Sequence, residues 1–204
     1  RAIQSALPKD AIISSDIGNN CAIGNAYPTF EEGRKYLAPG LFGPCGYGLP
    51  SIMGAKIGRR DVPVVGFAGD GAFGISMNEM SAIGREEWPA ITMVIFRNYQ
   101  WGAEKRNTTL WFDDNFVGTE LDQQVSYAGV AKACGVEGVA VSTMDELRDA
   151  LAKAVDAQMN DGVTTFIEVL LNQELGEPFR RDAMKQPVSV AGISQADMRP
   201  QQSA

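Results

Sequence analysis

Short apolar runs alternate with longer helical patterns along this chain. Residues 11–15, 64–69, 91–96, 136–141 and 165–171 are brief, rich in β-branched side chains and bounded by turn signals. Residues 64–69 and 91–96 read as strands buried in a parallel sheet and 11–15 as a buried strand, with 136–141 and 165–171 as further strands. Between them, residues 1–7 read as a short helix stopped by Pro8, and a second helical stretch covers 21–26. Gly48-Leu49-Pro50 opens a helix expected to pack Ile52, Met53, Ala55 and Ile57 inward, with Arg59 and Arg60 in its solvated exit turn. Residues 73–85 are expected to turn Ile75, Met80 and Ile83 to a core. Residues 127–134 form an amphipathic helix stopped at Gly135. Thr143-Met144-Asp145-Glu146 is a capping box ahead of a helix whose apolar face is Leu147, Leu151, Ala154 and Val155. Five strands alternating with helices predict an α/β fold, a doubly wound parallel sheet with helices on both faces.

Two segments break the rhythm. Residues 28–48 carry three prolines and five glycines and read as an irregular loop with special backbone conformations. Residues 101–112 are dense in charge and aromatics, and read as a loop directly after a strand, a place for substrate contacts. The composition turns polar after Pro187. Residues 1–187 are thus expected to form one domain, and 188–204 a poorly ordered tail or a strap for a partner.

The stretch with most chemistry lies between the second and third strands. The run at 64–69 ends at Gly69-Asp70-Gly71, and the run at 91–96 ends at Asn98. Side by side, these strands bring Asp70 and Asn98 to the carboxyl edge of the sheet, where open α/β sheets bind ligands. A carboxylate and a carboxamide oxygen are hard donors of the kind Mg²⁺ takes together with phosphate oxygens. Gly71 and Ala72 open the next helix, and their backbone N–H groups favour an anion. Metal and anion donors at one edge describe a site for Mg²⁺ and a diphosphate. Gly-Asp-Gly alone reads as well as a turn. Asp16, which ends the first strand at the same edge, reads equally well as a helix cap.

Composition narrows the functions. The 204 residues are 45% hydrophobic, enough for a core, and a net charge of −7 argues against a nucleic-acid footprint. No apolar run approaches the ~20 residues of a membrane span. The three cysteines, Cys21, Cys45 and Cys134, have no metal or CxxC spacing, which suits reduced thiols in a cytoplasmic protein. Histidine is absent, so acid–base work falls to another side chain, a cofactor or another chain. The start at Arg1, already inside a helical pattern and without a leader signature, reads as a piece cut from a longer protein.

Gly69-Asp70-Gly71, followed by 26 residues and then Asn98-Tyr99-Gln100, resembles the signature of the thiamine diphosphate enzymes. The resemblance implies that Asp70, Asn98 and the backbone carbonyl of Gln100 bind Mg²⁺, with Gly69, Gly71 and Ala72 beside the diphosphate. Most of the chain looks like the C-terminal, diphosphate-binding domain of the acetolactate synthase and pyruvate decarboxylase superfamily. There, a loop matching Gly43-Pro44-Cys45-Gly46-Tyr47-Gly48 holds the aminopyrimidine through backbone groups at the positions of Gly43 and Cys45. The residue at Cys45 wedges between the cofactor's rings, so that the cofactor's own amino group serves as a positioned base. Absence of histidine is then no obstacle. Cys45 departs from the usual Met, Leu or Ile.

Within the superfamily, Phe42-Gly43-x-Cys45-Gly46-Tyr47, the run from Asn98 to Lys105, and Pro178-Phe179-Arg180-Arg181-Asp182-Ala183 resemble the sulfoacetaldehyde acetyltransferases. The implied reaction converts sulfoacetaldehyde and phosphate to acetyl phosphate and sulfite. Two small anionic substrates give Lys105, Arg106 and Arg180 employment, with Glu104 beside them. The resemblance also implies a partner, a pyrimidine-binding domain of the same enzyme supplied by a second subunit, in a homodimer or homotetramer. An acetolactate synthase-like or 2-oxo-acid decarboxylase domain explains Asp70 and Asn98 as well, but not the run from Gln100 to Lys105. A non-catalytic cofactor-binding domain is the remaining alternative.

Overall fold

The strands in the computed structural model are β1 (Ile12–Ser15), β2 (Tyr36–Leu37), β3 (Val64–Gly69), β4 (Thr92–Arg97), β5 (Glu137–Val141) and β6 (Thr165–Leu170). They form one six-stranded sheet in the order β2-β1-β3-β4-β6-β5, and every pairing is parallel. The structure describes residues 2–30, 33 and 35–174. The expected tail at 188–204, and Arg180 and Arg181, lie outside the described residues.

Alternation of side chains along each strand divides the core between two faces. On one, Val64, Ala68, Met93, Ile95 and Phe166 meet α3 (Gly48–Gly58), α4 (Asp70–Ser76), α5 (Met80–Ile83) and α7 (Tyr127–Ala133). On the other, Val65, Phe67, Val94, Ile167 and Val169 meet α1 (Ala2–Ser5) and α8 (Met144–Asn160). Gly66 lets α3 close on the sheet, because a Cβ there would stand 2.9 Å from Ile52 Cδ1 and 2.7 Å from Met93 Sδ. The doubly wound reading holds.

Four details differ from the sequence reading. Tyr36–Leu37 adds a sixth strand inside the supposed loop, pairing with β1 at Ile13 and Ser14. The charged stretch after Asn98 is a helix, α6 (Gly102–Trp111). Ile57 is exposed, and Lys56 takes the inward place expected for it. Leu49, Ile52, Met53 and Lys56 follow the 3.6-residue period, whereas Ile57 lies about 100° off that stripe. The Lys56 ammonium is buried without strain because it donates to the carbonyls of Val62 at 2.8 Å and Arg60 at 3.1 Å, closing the end of α3. Ile75 is likewise exposed, and the inward positions are Phe73, Ser76, Met80 and Ile83. Among the described residues no helix is long and apolar enough to cross a membrane.

The chain leaves β1 for β2 on one side and reaches β3 on the other. The strand order therefore reverses at the carboxyl ends of β1 and β3, the switch point where such sheets open a crevice. Asp16 ends β1 and Asp70 follows β3.

Candidate functional site

Asp70 is the first residue of α4 and is 2% exposed. Its Oδ1 accepts from Gly71 N at 3.0 Å and its Oδ2 from Tyr99 N at 2.7 Å. The Gly71 N–H, expected to point at a ligand, is thus engaged by its own neighbour. Burial pushes the Asp70 carboxyl up, against the bonds from Tyr99 and Gly71 and the charge of Arg97. One terminal atom of the Asn98 carboxamide stands 3.2 Å from Asp70 Oδ1 and 3.0 Å from the Gln100 carbonyl oxygen. With nitrogen in that place the amide donates to both. With oxygen there, three oxygens converge, an arrangement that a cation resolves. Register explains the meeting: β3 and β4 pair through Gly69 and Phe96, so both chains leave the sheet at one level.

The ligand segment is held from several sides. Tyr99 has a φ of 61°, a left-handed backbone that aims its N–H at Asp70. Trp101 N donates to Thr119 O and Leu121 N to Tyr99 O, so residues 119–121 brace it. The Trp101 ring lies on Gly71, where a Cβ would come within 2.8 Å of the indole. Arg97 lies 4.5 Å from the Tyr99 ring centroid and pairs with Glu168 at 2.6 Å, both buried. Glu168 also accepts from Ser126 Oγ and Ala128 N. Tyr127 donates to Asp70 O at 3.3 Å, and burial with the Asp70 charge pushes its hydroxyl to about 12.

Across the switch point, Asp16 is fully buried and accepts three backbone N–H groups, from Ile17 at 2.8 Å, Gly46 at 3.1 Å and Gly48 at 2.7 Å. It does not cap α2 (Asn19–Ala26), whose N-cap is Gly18. Sequence reasoning missed this role, as it missed Arg97, Glu168 and Tyr127. Gly43 and Gly46 take φ of 55° and 82°, as the loop reading expected. Cys45 is exposed, and its thiol is pushed up by partial burial first, then by the charges of Asp16 and Glu104.

Gly69 precedes α4 and lies against Asn20, whose Nδ2 would meet a Cβ at 2.9 Å; Ala72 is buried in the first turn of α4. The charged candidates among the described residues, Glu104, Lys105 and Arg106, fall on α6. Lys105 donates to Gln100 Oε1 at 3.0 Å and pairs closely with Glu120. Arg106 Nη1 reaches Asn19 Oδ1 at 3.4 Å, and Glu104 is exposed. Among the described residues no three acidic, cysteine or histidine side chains form a metal cluster. The donor set at Asp70 has one carboxylate only, and leaves the rest of a shell to phosphate and water. An open depression of about 410 Å³ is lined by Pro44, Cys45, Gly46, Tyr47, Pro50 and Ser51. Asp70, Asn98 and Gln100 do not line it.

A doubly wound sheet with a glycine loop on one side of its switch point and converging oxygens on the other defines a nucleotide- or diphosphate-cofactor domain. The chain belongs to the family described as thiamine pyrophosphate enzyme, C-terminal TPP binding domain, whose model matches residues 16–169. It is 78% identical over 202 residues to the sulfoacetaldehyde acetyltransferase of Roseovarius nubinhibens, covering 99% of this chain and 33% of that protein. The probable sulfoacetaldehyde acetyltransferase of Rhizobium meliloti is 77% identical over 98% of this chain and 34% of its own length. Chloroplastic acetolactate synthase 1 of Nicotiana tabacum is 30% identical over 72% of this chain and 23% of its own length. The chain thus spans about a third of the length of these two acetyltransferases. In fold it resembles the thiamine diphosphate-dependent 4-hydroxybenzoylformate decarboxylase of Rhodococcus jostii RHA1, with a TM-score of 0.76 at 23% identity over 86% of this chain and 32% of that one.

Proposed function

We propose that this chain is the diphosphate- and Mg²⁺-binding domain of a thiamine diphosphate-dependent sulfoacetaldehyde acetyltransferase, which takes sulfoacetaldehyde and phosphate to acetyl phosphate and sulfite. The convergence of Asp70 Oδ1, the Asn98 carboxamide and Gln100 O at 3.0–3.2 Å carries the cofactor half. Octahedral Mg²⁺ at about 2.0–2.1 Å from each ligand sets neighbouring oxygens about 3 Å apart, and the two separations from the Asn98 amide support the reading. The substrate half is supported by 78% identity to a sulfoacetaldehyde acetyltransferase, against 30% to an acetolactate synthase.

In this reading Asp70, Asn98 and the Gln100 carbonyl hold the cation, and Gly69, Gly71 and Ala72 flank the diphosphate. Backbone groups of Gly43 and Cys45 hold the aminopyrimidine, with the Cys45 side chain as the wedge. The bound cofactor supplies an electron sink and its own base, so no histidine is required. Lys105, Arg106 and Glu104 sit on α6 as contacts to the anionic substrates, Lys105 by exchanging Glu120 for the anion. The open crevice suits closure by a pyrimidine-binding domain from a second subunit, in a homodimer or homotetramer. Unpaired Cys21, Cys45 and Cys134 suit the cytoplasm. Residues 1–187 constitute the domain, and 188–204 a polar tail.

The test is a titration of the native enzyme with thiamine diphosphate and Mg²⁺, followed by a sulfite-release assay with sulfoacetaldehyde and phosphate. Saturable, Mg²⁺-dependent binding and sulfite release are expected. Binding without sulfite release would remove the substrate half, and no binding would remove both. Lys105→Met should raise the KM of one anionic substrate about ten- to hundredfold, the loss of one charge-assisted contact, with cofactor affinity unchanged.

A further inference from the structure

We infer that Asp16 is a positioning residue for the ring end of the cofactor: its carboxylate clasps the 43–48 loop from beneath and fixes how Cys45 is presented. The inference rests on the cofactor reading above. Asp16 is fully buried with both oxygens occupied by backbone donors. Two of those donors, Gly46 N at 3.1 Å on Oδ1 and Gly48 N at 2.7 Å on Oδ2, lie 30 and 32 residues away along the chain. The third, Ile17 N, fixes the carboxylate against its own strand end. Cys45 precedes the first of the bonded loop residues and is itself exposed.

The glycines of the loop fit this clasp for separate reasons. Gly43 and Gly46 have φ of +55° and +82°, which side-chain-bearing residues adopt at a cost. Gly48 has ordinary backbone angles, but a Cβ on it would stand 3.1 Å from both Cβ and Oδ2 of Asp16. The Ile17 side chain completes the support, with Cδ1 at 3.0 Å from where a Gly43 Cβ would be. A loop of glycines has no fixed shape of its own, so a buried acceptor with two oxygens selects one. An amide cannot replace it, because its NH₂ would face an N–H.

The arrangement separates two halves of the site. Asp16 acts at the end of β1 on the loop, whereas Asp70 and Asn98 follow β3 and β4. A residue that only stabilised the fold would weaken both halves together. Asp16 acts on the ring end alone.

The test uses the whole native enzyme with Asp16→Asn and, from the other side of the same contact, Gly48→Ala. Three quantities are compared with wild type: affinity for thiamine diphosphate with Mg²⁺, affinity for inorganic pyrophosphate with Mg²⁺, and amide hydrogen exchange at Gly46 and Gly48 without ligand. Both variants should bind thiamine diphosphate ten- to hundredfold more weakly and pyrophosphate within about twofold of wild type, with at least tenfold faster exchange at the loop amides. Equal losses for both ligands, or unchanged exchange at Gly46 and Gly48, would overturn the positioning role. Wild-type enzyme that binds pyrophosphate but not thiamine diphosphate would instead overturn the cofactor reading, leaving the exchange data to judge the clasp.

Discussion

Buried polar side chains sit at both ends of this sheet, and they are satisfied in opposite ways. At the amino ends of β3 and β4, Gln158 of α8 accepts from Val64 N at 2.8 Å and donates to Val64 O and Thr92 Oγ1 at 2.9 Å each. Every polar atom of that amide has a protein partner, and nothing is left to bind. At the carboxyl ends, one terminal atom of the Asn98 amide stands 3.2 Å from Asp70 Oδ1 and 3.0 Å from the Gln100 carbonyl oxygen, so the cluster is closed by a nitrogen there or, with oxygen there, calls for a cation. A saturated network specifies the fold, while an excess of acceptors specifies a ligand. The backbone tells the same story. Tyr99, beside the oxygen cluster, has a φ of 61°. Strain of this kind persists where the surroundings over-determine it, as they do at binding sites.

The comparison breaks most visibly at Asp70. Asp70→Ala removes the one carboxylate of the proposed metal site. Two unit charges about 4 Å apart are worth about 4 kcal/mol at an effective dielectric of 20, and the cation is divalent and closer. Affinity for thiamine diphosphate with Mg²⁺ should fall at least a thousandfold in isothermal titration. Unchanged affinity would show that the oxygen cluster is not the metal site.

At the other end, Gln158→Leu keeps bulk but strands the N–H and C=O of Val64. An unsatisfied buried group costs about 1–3 kcal/mol, so a loss of about 2–3 kcal/mol in urea unfolding is expected. Cofactor affinity should not move. A variant of native stability, or one with impaired cofactor binding, would erase the distinction between the two ends.

How much of this was legible beforehand follows the range of the interactions involved. The buried strands and the capping box are written in contiguous residues, and they were read correctly. The meeting of Asp70 with Asn98 was also legible, since adjacent parallel strands bring their ends to one level. Tyr36–Leu37 escaped because two residues among glycines and prolines carry no period. Gly102–Trp111 escaped as a helix because the unbroken polar run at 104–109 leaves no apolar stripe. Ile57 and Ile75 were assigned inward by residue type, when the helical period places Lys56 and Ser76 there. Asp16 was the hardest to read. Its role depends on backbone N–H groups some thirty residues away, and backbone donors leave no mark in a sequence.

The smallest expected effect sharpens the same contrast far from either end's buried amides. Thr143 accepts from Glu146 N at 3.2 Å, and Glu146 Oε2 accepts from Thr143 N at 3.1 Å, a reciprocal cap on α8. The cap is saturated like Gln158 but exposed, so water replaces most of what a mutation removes. Thr143→Ala should cost about 1 kcal/mol. The cap also predicts a pH dependence. Backbone N–H donors from Ser142 and Thr143 hold the Glu146 carboxyl below its usual value of 4.5. A carboxylate whose folded pKa is depressed contributes stability above its unfolded pKa and loses it as pH falls through the folded value. The Glu146 contribution should therefore be complete at neutral pH and be lost at an acid pH below its ordinary 4.5. Urea unfolding of wild type and Thr143→Ala at both pH values reads it directly. The gap between them should narrow at the lower pH, because the wild type then loses the Glu146 half of the cap that the variant has already weakened. An equal gap at both would mean that the threonine hydroxyl acts alone.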